Sequence, residues 1–196
     1  MNFTTLYHLI FVVKIKNNMR VCILGSGLTA LTLAKALVNQ NIFVDLISSN
    51  KNYKINHSRT IGISKSNFNY FNKNIINLEK ISWKLKKIEI YTDKNEKILN
   101  FENSNQLFSI LKNHQLYEVL NKNLSKNNYF KKIKSKKKLT KLEKYSLIVN
   151  TEYNNTFAKK YFSKKIEKTY NSSAYTTVIN HEKISNEIAI QIFTKI

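Results

Sequence analysis

Glycine, proline, cysteine and arginine are all scarce in this chain of 196 residues. It has three glycines, no proline, one cysteine and only two arginines, Arg20 and Arg59. The single cysteine excludes an internal disulfide and fits a reducing compartment. Two of the three glycines fall within one turn, Gly25-Ser26-Gly27. Because glycine is so rare elsewhere, this turn is the most informative stretch of the sequence.

The cysteine and the histidines give no sign of a metal site. Cys22 lies inside the apolar run Val21–Leu24, where we expect a small buried hydrophobic residue rather than a nucleophile. The four histidines are far apart and lack the spacing of metal ligands: His8, His57, His114 and His181. We therefore expect no metal.

Positive charge dominates the composition. The 33 basic residues exceed the 12 acidic ones, for a formal net charge of +21. Lysine, asparagine and isoleucine are abundant together, which favours a coding bias over a nucleic-acid site, since phosphate-clamping contacts commonly use arginine. The segment 131–144, KKIKSKKKLTKLEK, is predicted as a solvated loop or edge strand; a patch for polyanions is the alternative. The apolar fraction of 42% predicts a folded chain.

Residues 1–18 are predicted to precede the fold. Their apolar segment, Leu9–Val13, is too short to span a bilayer, and it lacks the basic start and cleavage site of a signal peptide. Met19 stands immediately before the first predicted strand and is expected to be the true start. An interfacial anchor is the alternative for this N-terminal extension.

A strand, a glycine turn and a helix follow one another from residue 21. The strand Val21–Leu24 leads into the turn, a helix is predicted over Leu28–Gln40, and a second strand over Ile42–Ile47. This order is typical of dinucleotide binding, because the backbone at the helix N-terminus offers free N–H groups to a pyrophosphate. A βαβ unit without a ligand is the alternative. The expected pyrophosphate-binding residues are Gly25, Ser26, Gly27, Leu28, Thr29 and Ala30, with Ala30 at the position of close helix–strand packing.

The ribose position departs from the usual pattern. An acidic residue is expected at the end of the second strand, but Ser48 stands there. Asp45 has a suitable sequence distance, although a strand interior would hold it. A serine hydroxyl can still hydrogen-bond a ribose. Arg59, close to Gly62, is predicted to face a phosphate or carboxylate; an ordinary surface arginine is the alternative.

The remaining periodicity predicts short elements. The strand Trp83–Tyr91 should form a hairpin with Ile98–Phe101 and begin a separate antiparallel sheet. The other predicted elements are a short helix over Ser66–Asn72, an amphipathic helix over His114–Leu124, a short buried strand over Ser146–Asn150, and strands over Tyr175–Ile179 and Ile188–Phe193.

These pieces together resemble one family, the flavin-dependent aromatic hydroxylases, and within it the ubiquinone-biosynthesis hydroxylases. The resemblance runs in order from Met19 to Ile196. It is carried by five segments: Val21–Leu37, the SRTIGIS segment 58–64, the strand 83–91, the segment 113–120 beginning NHQL, and Tyr170–Phe193.

The resemblance implies an α/β Rossmann-like FAD-binding fold with the start of an inserted antiparallel β-sheet substrate domain, truncated. Residues 19–80 and 102–160 would form the discontinuous FAD-binding domain, and residues 81–101 and 170–196 the substrate-domain strands. FAD would contact the glycine turn, Ser48, Arg59 and His114, with NADPH or NADH as reductant. The flavin carries the chemistry, so no catalytic side chain is expected.

The implied substrate is a small aromatic molecule, specifically a polyprenylated ubiquinone precursor. The implied location is cytoplasmic, with peripheral inner-membrane or quinone-biosynthesis complex association; nucleic acid is disfavoured as a partner. The main alternative is a non-catalytic nucleotide-binding module with a basic face for polyanions. An NAD-linked reductase is disfavoured by Ser48 and by the hairpin.

Several positions differ from the family pattern. His114 and Glu118 stand where an arginine and a glutamine usually touch the flavin, and Glu152-Tyr153 replaces an Asp-Gly pair. The family's second flavin motif, a Gly-Asp pair, does not occur. We therefore expect this polypeptide to bind FAD weakly and to turn over poorly.

Overall fold

The computed structural model describes residues 19–48, 56–134, 142–152, 155–161, 168–173 and 186–194, together with residues 175, 177, 179 and 182. The predicted N-terminal extension lies outside these residues, as do Tyr153 and residues 176 and 178 of the predicted strand Tyr175–Ile179. The described residues of that segment, 175, 177 and 179, are not in a strand. The described part contains ten strands and four helices.

Four parallel strands form the first sheet, in the order β8-β2-β1-β9. β1, β2 and β9 are rich in apolar residues, as expected for strands covered on their faces, whereas the edge strand β8 has three lysines in five residues. The strands are β1 Arg20–Leu24, β2 Phe43–Ser48, β8 Phe130–Lys134 and β9 Leu147–Asn150. The strand predicted over Ser146–Asn150 is confirmed, but it is an edge strand with an exposed Leu147 rather than a buried one.

Two helices pack side by side against this sheet. Helix α1, Leu28–Val38, connects β1 to β2, and helix α3, Asn113–Ser125, precedes β8. The leucines of α3 that recur every four residues are buried, as the periodicity predicts: Leu116, Leu120 and Leu124. α1 ends at Val38, and Asn41, three residues later, has φ of 58°, in the left-handed region that asparagine tolerates after a helix.

An antiparallel sheet in the order β3-β7-β4 covers the other side of the same core. Its strands are β3 Thr60–Ser64, β4 Ser82–Leu85 and β7 Phe108–Lys112, with helix α2, Lys65–Asn74, after β3. The buried cluster joins side chains from the parallel sheet, α1, α3, α2 and β7, among them Ile23, Leu31, Phe68, Leu111 and Leu120. One continuous core therefore links both sheets.

A third sheet, in the order β10-β5-β6, lies outside that core. It consists of β5 Lys87–Thr92, β6 Lys97–Glu102 and β10 Ile188–Phe193; a short helix α4, Thr156–Tyr161, follows β9. The hairpin of β5 and β6 and the strand at residues 188–193 are confirmed. The division into a flavin domain and a substrate domain stays a prediction.

The stretch predicted as one strand over Trp83–Tyr91 is two strands in different sheets. β4 pairs with β7, whereas β5 pairs with β6 and β10. The chain changes sheets at Lys86, whose N–H donates to the carbonyl of Glu187 before β10. The prediction was wrong here because the alternation of apolar residues continues across the break, and alternation does not reveal the pairing partner.

In the described part of the chain, no helix is long and apolar enough to cross a bilayer.

An ion-pair network stabilises the third sheet. The Glu89 carboxylate accepts hydrogen bonds from Lys97 Nζ at 2.6 Å and Tyr91 Oη at 2.8 Å, and Lys87 Nζ lies 2.9 Å away. Hydrogen bonding from Lys97, followed by that from Lys87 and Tyr91, lowers the pKa of Glu89 from 4.5 to about 2. The ionised carboxylate is therefore favoured in the folded chain.

We predict that this network makes stability depend on pH in the acidic range. A lowered carboxyl pKa contributes stability above pH 4.5, and this contribution is lost as pH falls towards 2. Glu89→Gln should unfold at lower urea concentration than the parent chain at pH 7, and the gap should close as pH approaches 2. A gap that stays constant with pH would contradict the assignment.

Candidate functional site

The parallel sheet has one edge at which several chain segments converge. Because β1, β2, β8 and β9 are parallel, their carboxyl ends lie at the same edge. Helix α1 follows β1, and α3 precedes β8, so both helices run antiparallel to the strands of the sheet. Their N-termini therefore point to the edge where β1 ends at Leu24 and β2 ends at Ser48. In open α/β sheets this is where ligands bind.

Gly25 is held tightly between the two strands that flank β1. Its N–H donates to the Ile47 carbonyl at 2.9 Å, and the preceding Leu24 carbonyl accepts from both the N–H and the Oγ1 of Thr151, each at 2.9 Å. Gly25 has φ of +138°, and a Cβ there would lie 2.1 Å from Thr151 Oγ1. Glycine is required here by backbone conformation and by Thr151, independently of any ligand.

Gly27 begins the helix and leaves its first amides open. It is the N-cap residue of α1, with φ of −80° and ψ of −178°, and it offers no capping side chain. The first turn contains no acidic residue. The N–H groups of Leu28, Thr29 and Ala30 have no partner within the helix itself, so an anion can accept from them.

Of the remaining residues of the predicted pyrophosphate site, some are buried and others are exposed to solvent. Ala30 is fully buried in the core, which is the close helix–strand packing expected at that position, and Ser26 is 4% exposed. Gly27 and Leu28 are half-buried, while Thr29 is exposed. The open part of the turn is therefore short, covering residues 27–29.

Ser48 and Asp45 lie on β2 in different environments. Ser48 closes the strand at the carboxyl edge and is 5% exposed. Asp45 is buried within the strand, where it accepts a hydrogen bond from Tyr145 Oη at 2.8 Å and lies 3.7 Å from Arg20. Asp45 is therefore part of an internal polar cluster, and it does not occupy the ribose position.

Cys22 faces the same cluster and is completely buried. Burial, with a smaller contribution from the negative charge of Asp45, raises the pKa of the Cys22 thiol to about 11. The thiol stays protonated at neutral pH, which agrees with a packing role and excludes a thiolate nucleophile at this position under those conditions.

Arg59 and His114 are brought together beside the N-terminus of α3. The N–H of Asn113 donates to the Arg59 carbonyl at 3.0 Å, and the rings of His57 and His114 stack with their centroids 4.4 Å apart. The Arg59 side chain is exposed. Two buried polar atoms in this group have no hydrogen-bond partner, Asn113 Oδ1 and His114 Nδ1. Such orphaned atoms can receive a ligand or water.

His57 and Asn113 were not among the predicted site residues. No spacing rule identifies them, because they are far apart in the sequence. His57 precedes β3, and Asn113 follows β7. Their only sequence signal is proximity to Arg59 and His114. Glu118 lies exposed on α3, and Glu152 forms backbone hydrogen bonds with the Asn150 side chain.

Gly62 has a packing explanation that the sequence did not indicate. It pairs with Ile110 across β3 and β7, and a Cβ on Gly62 would lie 2.3 Å from the Phe108 ring. The glycine therefore makes room for Phe108, so its presence near Arg59 is no evidence that the arginine faces a phosphate.

Comparisons with known proteins give a fold relationship only. No protein-family model matches the chain, and no curated protein sequence matches it. The described fold is similar to that of p-nitrophenol 4-monooxygenase PnpA from Pseudomonas putida, with a TM-score of 0.51 and 12% identity over 61% of this chain and 32% of the other.

Two further solved structures show the same similarity. One is PqsL from Pseudomonas aeruginosa, described as a probable FAD-dependent monooxygenase, with a TM-score of 0.51, 16% identity, and coverage of 60% of this chain and 33% of the other. The other is 2-methyl-3-hydroxypyridine-5-carboxylic acid oxygenase, with a TM-score of 0.51, 14% identity, and coverage of 61% and 32%. This chain thus spans about a third of their length, and it shares its mixed α/β fold with part of each of these three proteins.

We predict that Gly25→Ala destabilises the fold through two separable effects. The alanine would adopt an unfavourable positive φ, which costs about 1–3 kcal/mol, and its Cβ would collide with Thr151 Oγ1. Replacing Thr151 by Ala as well removes the collision and leaves the backbone cost. In a double-mutant cycle of urea unfolding, Thr151→Ala should therefore cost less in the Gly25→Ala background; strictly additive effects would contradict the contact.

Proposed function

We propose that the chain binds FAD at the carboxyl edge of the parallel sheet, with the diphosphate at the start of α1. The observation that carries the proposal is the open, uncapped N-terminus of α1 directly after the buried glycine at the end of β1. The supporting comparison is the fold shared with part of PqsL, a probable FAD-dependent monooxygenase.

The strand order supports a dinucleotide site of the Rossmann type. Numbered along the chain within the parallel sheet, the strands lie in the order 3-2-1-4, and the order reverses between β1 and β9. Ligands of open α/β sheets bind at such a reversal, outside the carboxyl ends of the strands. Gly25, after β1, and Thr151, after β9, lie at the carboxyl edge of the sheet at this point.

The residues present fit an FAD molecule in chemical terms. The amides of Leu28 and Thr29 would bind the diphosphate, and no carboxylate in the first turn of α1 opposes its charge. The hydroxyl of Ser48 would contact the ribose. The Arg59 guanidinium and the His114 imidazole lie near the N-terminus of α3, at the same edge of the sheet. They would hold the cofactor from the α3 side.

When bound, the flavin supplies oxygen activation for hydroxylating an aromatic ring, after reduction by NADPH or NADH. The residues of this chain bind and orient the cofactor, and none is assigned as a nucleophile or proton carrier. The specific aromatic substrate that we propose is a polyprenylated ubiquinone precursor, with association at the inner membrane or with a quinone-biosynthesis complex. The support for this finer assignment is the sequence resemblance described above.

A charge placed at Gly27 tests the cofactor site without disturbing the fold. Gly27 has an extended φ and ψ that aspartate and asparagine also adopt, and both are good N-cap residues whose replacement of glycine changes stability by only a few tenths of a kcal/mol. Gly27→Asp should weaken FAD binding about tenfold or more, because its carboxylate would lie beside the diphosphate. The measurement is quenching of flavin fluorescence on titration with the protein.

Gly27→Asn is the matched control. It supplies a side chain of the same size and the same capping oxygen without the charge, so it should weaken binding less than Gly27→Asp. Equal loss in both variants would mean that bulk rather than diphosphate charge is responsible. A parent chain that leaves flavin fluorescence unchanged at every protein concentration would overturn the proposed function.

A further inference from the structure

The outer strand of the third sheet presents an uncharged apolar edge. The side chains of Ile188, Ile190 and Ile192 on β10 are 37%, 61% and 56% exposed, and no charged residue occurs in the strand, whose sequence is IAIQIF. The sheet order ends at β10 among the described residues. Among the described residues, none of the three strands of this sheet contributes to the buried hydrophobic core.

The edge strands β8 and β6 carry the usual protection against pairing, whereas the edge strands β3 and β9 have no charged residue. β8, at the edge of the parallel sheet, has three lysines in five residues, Lys131, Lys132 and Lys134. β6 has Lys97 and Glu102 and an irregular register opposite β5. Charges and irregularities of this kind keep edge strands from adding further strands. β10 has neither.

The backbone of β10 is oriented for a further strand. The Glu187 carbonyl accepts from the N–H groups of Lys86 and Lys87, so the backbone at residue 187 faces β5. Because backbone groups alternate along a strand paired in parallel, those of Ile188, Ile190 and Ile192 face the open edge. The carbonyls of all three isoleucines and the N–H groups of Ile190 and Ile192 can therefore bond across the edge, whereas the Ile188 N–H already donates to Asn186 Oδ1 at 2.9 Å.

We propose that β10 pairs antiparallel with β10 of a second copy of this chain, about a twofold axis at Ile190. In this register Ile190 lies opposite its own counterpart, and Ile188 lies opposite Ile192 of the other copy. The spacing of the three isoleucines is therefore self-complementary, which is what an isologous interface requires. Apolar cross-strand pairs of this kind stabilise a sheet.

Charge favours a second copy over an anionic partner at this place. The three strands hold two lysines, Lys87 and Lys97, and two glutamates, Glu89 and Glu102, so their net charge is zero in a chain of formal charge +21. An acidic protein or an anionic bilayer gains nothing from a neutral surface. Two strongly basic chains, by contrast, can meet there without opposing their lysines.

Sedimentation velocity of the full chain tests the proposal. At roughly 50 μM the parent chain should sediment as a dimer, twice the 23.0 kDa chain mass, and should remain so when salt is raised. Ile190→Lys places a charge opposite its own counterpart and should raise the dimer dissociation constant about 100-fold or more. Ile190→Val should retain the dimer.

Tyr70→Lys is the matched control. Tyr70 lies on α2 and is 58% exposed, close to the 61% of Ile190, so it receives the same charge at similar exposure. It should leave the dimer intact. A monomeric parent chain, a larger open assembly, or a dimer that tolerates Ile190→Lys would each overturn the proposal, and none of these outcomes depends on FAD binding.

Discussion

The contact between the end of β1 and the segment after β9 is the constraint on which the candidate site depends. The Leu24 carbonyl accepts two hydrogen bonds from Thr151, and the next N–H, that of Gly25, is bound by β2. The backbone is thus fixed from both sides at the residue where the chain leaves the sheet. This arrangement leaves no room for a Cβ, and it directs the N-terminus of α1 to the sheet edge.

The rest of the molecule divides into a packed part and an outer sheet. The parallel sheet, α1, α3 and the β3-β7-β4 sheet share one core, so the two helix N-termini at the carboxyl edge are held by buried leucines. The outer sheet relies instead on the Glu89 network and the backbone pairing of β5 with its neighbours. Its exposed apolar side chains give it a surface unlike the lysine-rich remainder.

Local sequence patterns were sufficient for the elements that carry the site. The β1-α1-β2 unit and the amphipathic helix α3 could both be predicted, because each depends on neighbours close along the chain. Pairing between distant segments could not. No pattern in the sequence predicts β7, and the alternation from Trp83 predicts a single strand because alternation looks the same in either sheet.

Side-chain environments were the least predictable part. The nearness of Gly62 predicts that Arg59 faces a phosphate or carboxylate, but the glycine instead makes room for the Phe108 ring, which reaches it from a strand more than forty residues away. The stacking of His57 on His114 likewise depends on the joining of β3, β7 and α3. Asp45, by contrast, was correctly placed inside a strand, because the apolar residues on both sides of it are local.

The most direct test of the account is the backbone amide spectrum of the ¹⁵N-labelled chain titrated with FAD. The account predicts that the largest shifts occur at residues 27–29, with smaller ones at Ser48 and His114. Shifts confined to the lysines of β8, or a spectrum unchanged by FAD, would contradict a diphosphate site at the start of α1.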